Sequence, residues 1–266
     1  MRRVSLTLLT MAVVLALPSA AGAISRGTPD TTHPMVAALG GLDPDSGLVY
    51  AGCNATLVSD TVLVTAGHCV TPGAAPPVEL LRVNFSADAS PDSEGWLPAA
   101  AMHNHPQATF VRGSMEDVGV VVLPPGAAPD VPHATLPTAG RLAALAAHGK
   151  LIGESFDLVG YGCDHFAANS GPGSYVCQPP PVRKYATAPF GGLTKKWLTL
   201  RVNGVATGEG GTCRGDSGSP AFLPGTLEVV AVTTGGGGPW CRENAYDYRL
   251  DTETARGFLA DYVDLP

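Results

Sequence analysis

Charge and aromatic rings are scarce in this chain: 15% of its 266 residues are Asp, Glu, Lys or Arg, and 6% are Phe, Trp or Tyr. No cluster of Lys and Arg occurs, so the electrostatic footprint that neutralises phosphates is missing and a nucleic-acid partner is excluded. Beyond residue 23 no apolar run approaches the ~20 residues a helix needs to cross a bilayer. No Cys-x-x-Cys pair is present, which argues against a structural zinc site. No internal repeat is visible either. The apolar content, 45%, is too high for a disordered chain.

What the chain has in quantity is punctuation, with 33 Gly and 24 Pro spread between short Val- and Leu-rich runs. That pattern favours many strands and turns over long helices, and the length allows one or two domains. The first 23 residues read separately. Arg2 and Arg3 precede an apolar stretch, and Ala21-Gly22-Ala23 supplies small residues for cleavage, as in a secretory signal peptide. Removing that segment takes Arg2 and Arg3 from the 16 basic residues and leaves all 23 acidic ones, a net charge of −9. Export makes disulfides the natural reading of six cysteines, in any of 15 pairings.

Chemistry concentrates in Gly215-Asp216-Ser217-Gly218-Ser219-Pro220, just after Cys213. A serine between two glycines sits where the backbone bends sharply and little bulk blocks a substrate. The amides of Gly215 and Ser217 are placed to meet an oxyanion formed by attack of Ser217. Upstream, the apolar run Thr61-Val62-Leu63-Val64 ends in Thr65-Ala66-Gly67-His68-Cys69, and Met115-Glu116-Asp117 leads into a second apolar run over 118–123. A nucleophile, a base and a carboxylate thus stand in the order His68, Asp117, Ser217, with separations of 49 and 100 residues.

On those motifs, and over essentially the whole chain after residue 23, the sequence resembles the chymotrypsin-like (trypsin-like) serine endopeptidases. The resemblance implies an all-β fold of two packed six-stranded antiparallel Greek-key barrels with a short C-terminal helix. Residues 24–140 would form the barrel carrying His68 and Asp117, and 141–266 the barrel carrying Ser217. It implies the pairs Cys53 with Cys69 and Cys213 with Cys241, leaving Cys163 with Cys177. It selects Asp117 over its neighbour Glu116 as the partner of His68. It also pairs the α-ammonium of a released Ile24 with Asp216, so that signal cleavage after Ala23 would itself activate the protein. The expected product is a secreted monomer acting on protein or peptide substrates, with no metal, no cofactor and no membrane contact after signal removal.

For the primary substrate pocket the resemblance designates Gly211 at the base, with Thr212, Arg214, Thr234 and Gly236 around it. A base without Asp disfavours Arg or Lys and favours an apolar side chain. The rival reading is a catalytically silent relative that binds a partner through the cleft; Ser219 and Thr234, at positions where the family commonly has glycine and serine, favour it. Other expectations are local. Gly67 stands where the family has alanine, so packing there should be loose. Asn54-Ala55-Thr56 and Asn84-Phe85-Ser86 fit glycosylation sequons. His103 and His105 share a strand face but lack a third ligand, and Asp251 is placed to cap a terminal helix.

Overall fold

The computed structural model describes residues 24–108, 115–162, 181–238 and 241–266, together with two short strands at 167–168 and 175–176. The leader and the Cys163–Cys177 pairing lie outside the described residues. Two antiparallel sheets dominate. In the first the strand order is Leu97–Pro98, Leu81–Asn84, Val36–Leu42, Val49–Leu57, Val62–Thr65, Gly119–Val122 and Ala101–Asn104. Among the described residues its outer strands do not pair with each other, so this sheet is a seven-stranded half-barrel. One edge ends in Pro98, which has no N–H to offer a further strand.

The second sheet closes. Ser155–Gly160 pairs with Lys184–Leu193 on one side and Pro220–Phe222 on the other. Trp197–Arg201, Asn244–Arg249 and Val229–Gly236 complete the ring, and Thr28–Pro29 is added at Lys184–Leu193. A six-stranded barrel is narrow and must be filled largely by small side chains. Ala186, Ala188, Ala221, Ala231 and Ala245 accordingly lie in its core with Phe156, Leu158, Leu198 and Leu200.

The chain's two ends cross over. Thr28–Pro29 joins the C-terminal barrel, whereas the terminal helix Glu253–Leu259 buries Phe258 and Leu259 in the core shared with the N-terminal sheet. His103, in the strand Ala101–Asn104, stacks on Tyr262, and His105, just beyond its end, meets Phe258 edge-on, so both histidines pack against aromatic rings of the C-terminal segment. The helix is capped by Thr252, which accepts from the Ala255 amide at 3.2 Å. The expected cap, Asp251, is engaged by Arg249 and by the Leu142 amide.

A buried polar network joins the sheets. Arg183 donates to Asp30 at 3.0 Å, to the carbonyls of Val36 and Phe85, and to the Tyr161 hydroxyl. Burial alone would raise the Asp30 pKa, but hydrogen bonds from His33 and Thr32 outweigh it and hold the carboxyl well below the usual range. Burial pushes the Tyr161 hydroxyl up to about 12, so it stays protonated and bonds the carbonyls of Val36 and Ser86.

Candidate active site

His68 and Asp117 are brought together by strand register. Val62–Thr65 pairs with Gly119–Val122, with Thr65 opposite Gly119. The residues just after one strand therefore meet those just before the other. Ala66 leads into a single tight turn, Gly67–Cys69, tied to the neighbouring strand by the Cys53–Cys69 disulfide. The fully buried Asp117 accepts the His68 backbone N–H at 2.8 Å, and the His68 Nδ1 lies 2.9 Å from Oδ2. A proton on Nδ1 is thereby held by the carboxylate, which leaves Nε2 as the acceptor nitrogen. The imidazole is 18% exposed. Its residue lines a 330 Å³ cavity with Leu39, Gly41, Tyr50 and Pro76.

Glu116 is held elsewhere, by Lys196 and the Tyr248 hydroxyl, so the neighbouring carboxylates have separate partners. The packing around Gly67 is not loose. An added methyl would come within 2.8 Å of the Ala108 side chain and 2.9 Å of the Val118 carbonyl, because that space is already filled.

The turn carrying Ser217 is placed by its backbone. Gly215 and Gly218 have φ of 86° and 79°, a left-handed conformation that glycine adopts without strain. A side chain on Gly218 would strike the Asn54 carbonyl and the Thr65 hydroxyl, so the turn sits directly against the strand end that leads to His68. The buried Asp216 carboxylate accepts from the amides of Gly162 and Cys213, each at 2.8 Å. A methyl on Gly160 would fall 2.4 Å from Asp216 Oδ1, and one on Gly162 would fall 2.6 Å from its Cγ. Gly160-Tyr161-Gly162 thus provides clearance for that side chain. Cys213–Cys241 ties the same turn to the wall of the neighbouring cleft.

Asn54 is the residue that sequence reasoning missed. It is fully buried; its N–H donates to the Ser217 carbonyl at 2.7 Å and its Nδ2 to the Gly215 carbonyl at 2.6 Å. Its Oδ1 accepts from Tyr161 N at 2.9 Å, and its own carbonyl accepts from Thr65 at 2.6 Å. Asn54 thus ties the Ser217 turn to the strand Val49–Leu57. The sequon reading fails here, as it does at Asn84, which is also buried and bonded to Ser93 and Ser86. The available signal was an amide residue at a core-facing position beside Cys53.

Beside the turn opens a cleft of 930 Å³ lined by Thr212, Arg214, Gly215, Ser217, Thr233, Gly236, Glu243 and Tyr246, among others. Thr212, Arg214 and Gly236, three of the residues expected around the primary pocket, line this cleft. Gly211 and Thr234 are not among the lining residues. The Gly211 backbone pairs with Ser25, and Thr233 takes the lining position because the strand bulges between Thr233 and Gly235. Ile24 is buried in the core of the C-terminal barrel.

The trypsin family profile matches residues 26–253. The chain belongs to the trypsin family. Among solved structures, that of HL collagenase resembles it with a TM-score of 0.60 at 16% identity, covering 90% of this chain and 98% of the other. At that identity the likeness speaks for the fold alone. No curated protein matches the sequence.

Proposed function

We propose that this trypsin-family chain is a secreted serine endopeptidase that hydrolyses peptide bonds through an acyl-enzyme on Ser217. The observation that carries the reading is the buried Asp117 carboxylate bound to both the backbone and the ring of His68. A carboxylate so placed fixes the tautomer and stabilises the imidazolium. His68 then takes the proton of Ser217 as the hydroxyl attacks, and the amides of Gly215 and Ser217 receive the oxyanion. His68 returns the proton to the leaving amine, and water repeats the cycle on the ester.

Maturation follows from Ile24. In the full-length chain this β-branched residue has φ of 52°, a region it occupies only under strain. That torsion includes the carbonyl of Ala23, so cleavage between them abolishes the constraint. Ser25 is already paired with Gly211, by bonds of 2.9 and 3.1 Å. The freed ammonium of Ile24 would take Asp216 as its partner, and export would complete the site.

The test is reaction of the purified secreted protein with a serine-directed phosphonate, followed by N-terminal sequencing. Adduct on Ser217, an Ile24 terminus and loss of peptidase activity in Ser217→Ala are expected. A secreted, folded protein that neither labels nor cleaves would instead be the silent, partner-binding relative. A serine protease needs no metal or organic cofactor for this chemistry.

A further inference from the structure

Glu116 and Asp117 are consecutive carboxylates, and both are buried. Two adjacent negative charges away from water are costly unless each is compensated, and here they are compensated separately. Asp117 holds His68. Glu116 is bound by two residues of the C-terminal barrel, the ammonium of Lys196 and the hydroxyl of Tyr248. The charge of both carboxylates reaches that hydroxyl: burial raises its pKa most, the bond to Glu116 and its charge add to this, and Asp117 contributes as well. The phenol therefore keeps its proton and donates it, but brings no positive charge. Among the described residues, Lys196 is the formal cation bound to the pair besides the imidazole itself.

A tight turn places Lys196. In the hairpin between Lys184–Leu193 and Trp197–Arg201, the Thr194 N–H donates to the Trp197 carbonyl at 2.8 Å and the Trp197 N–H to the Thr194 hydroxyl at 3.0 Å. The Arg249 N–H donates to the Lys196 carbonyl at 2.9 Å, and the Arg249 guanidinium to the Thr194 carbonyl. Trp197 lies opposite Tyr248 and meets its ring edge-on. Of the two consecutive lysines in this turn, Lys195 is exposed and Lys196 is directed inward onto Glu116. His105 faces the same pair; its pKa is lowered, chiefly by burial, with opposed contributions from Glu116 and Lys196, so it adds no charge near neutrality. The cavity wall around His68 carries Tyr50 and no further charged residue.

We infer that Glu116 and Lys196 are positioning residues, an ion pair between the two halves of the protein that sets the pH at which His68 becomes a base by fixing the net charge beside Asp117. The inference deepens the endopeptidase reading and rests on it for turnover, though not for titration of the ring. With both partners present their charges sum to zero, and the imidazole responds to Asp117 alone. Without Lys196, Glu116 adds a second negative charge that favours the imidazolium. Without Glu116, Lys196 adds a positive charge that disfavours it. The two losses act in opposite directions, which a mere loss of packing would not do.

The test uses Lys196→Met, Glu116→Gln and the double variant, substitutions that keep the side-chain length. Two quantities are followed against pH: kcat/KM on a peptide substrate, and the His68 ring resonance by NMR, assigned by its loss in His68→Ala. The acid limb of kcat/KM and the ring midpoint should both rise by about 0.5–1 unit in Lys196→Met and fall by about as much in Glu116→Gln. In the double variant both should return close to wild type, with KM and the high-pH plateau of kcat retained throughout. Unmoved midpoints, shifts of one sign in both single variants, or a double variant that does not return overturn the inference. So does a lowered plateau with the acid limb in place, the mark of a structural role alone. Ring midpoints that move as expected in a protein that turns over no peptide would end the endopeptidase reading and leave the role of the pair standing. Peptide turnover with fixed midpoints would do the reverse.

Discussion

Replacing Asp247 by Asn should stabilise the ligand-free protein, increasingly as pH rises above about 4. Burial raises this carboxyl from 3.8 to about 7, against a smaller opposing effect of Thr233. Its cross-strand neighbours Leu198 and Thr233 carry no charge, and Arg249, two residues along, is bound to Asp251. The sign follows from proton binding. Between the unfolded and folded pKa the native state holds a proton that the unfolded chain has lost, so stability declines as pH rises from about 4 to about 7. A shift of that size corresponds to about 4 kcal/mol. Urea denaturation of wild type and Asp247→Asn at pH 4 and pH 8 measures it. The two should agree near pH 4, and the variant should be about 4 kcal/mol more stable near pH 8. A variant no more stable at pH 8 than at pH 4, relative to wild type, would refute the argument from the buried carboxylate.

Three other outcomes are expected. Asn54→Ala leaves the Gly215 carbonyl and the Tyr161 amide without their partner, which should cost about 1–3 kcal/mol for each group left buried and lower kcat more than it raises KM; urea melts and steady-state kinetics check both. Asp117→Asn should keep the fold, seen by near-ultraviolet circular dichroism, while kcat falls about 10⁴-fold through the wrong imidazole tautomer. Arg183→Met strands the buried Asp30 and should destabilise by about 3–5 kcal/mol, with Asp30→Asn restoring part of the loss in the double variant. Because the Asp30 pKa is depressed, its contribution is present above pH 3.8 and lost as pH falls below it. Acid titration of the urea midpoint reads that loss.

The sequence made the general fold legible because its signals were local and repeated: short apolar runs, turn residues between them, and two motifs whose residue types serve one chemistry. Val62–Thr65 and Gly119–Val122 could be read as strands, and their pairing is what makes His68 meet Asp117. Features that depend on register were not legible. Nothing local distinguishes Asp247 from a solvated strand carboxylate until its opposite neighbours are known. The bulge that brings Thr233 rather than Thr234 to the cleft leaves no mark in composition. Gly67 misled for a related reason. A missing methyl reads as slack along the chain, but Ala108 occupies that volume from elsewhere. The role of Asn54 was not legible because it is set by carbonyls more than 150 residues away, whereas the sequon it begins is a pattern of three letters.

That buried asparagine bears on how the protein can be made. Oligosaccharyltransferases act on nascent chains, before Asn54 and Asn84 have reached the interior. A sugar tree on either Nδ2 would occupy the bonds to Gly215 or Ser93 and could not be enclosed with the side chain. Passage through a eukaryotic secretory lumen would therefore yield unfoldable glycoforms, whereas a bacterial export route, which adds no such sugars, leaves both amides bare.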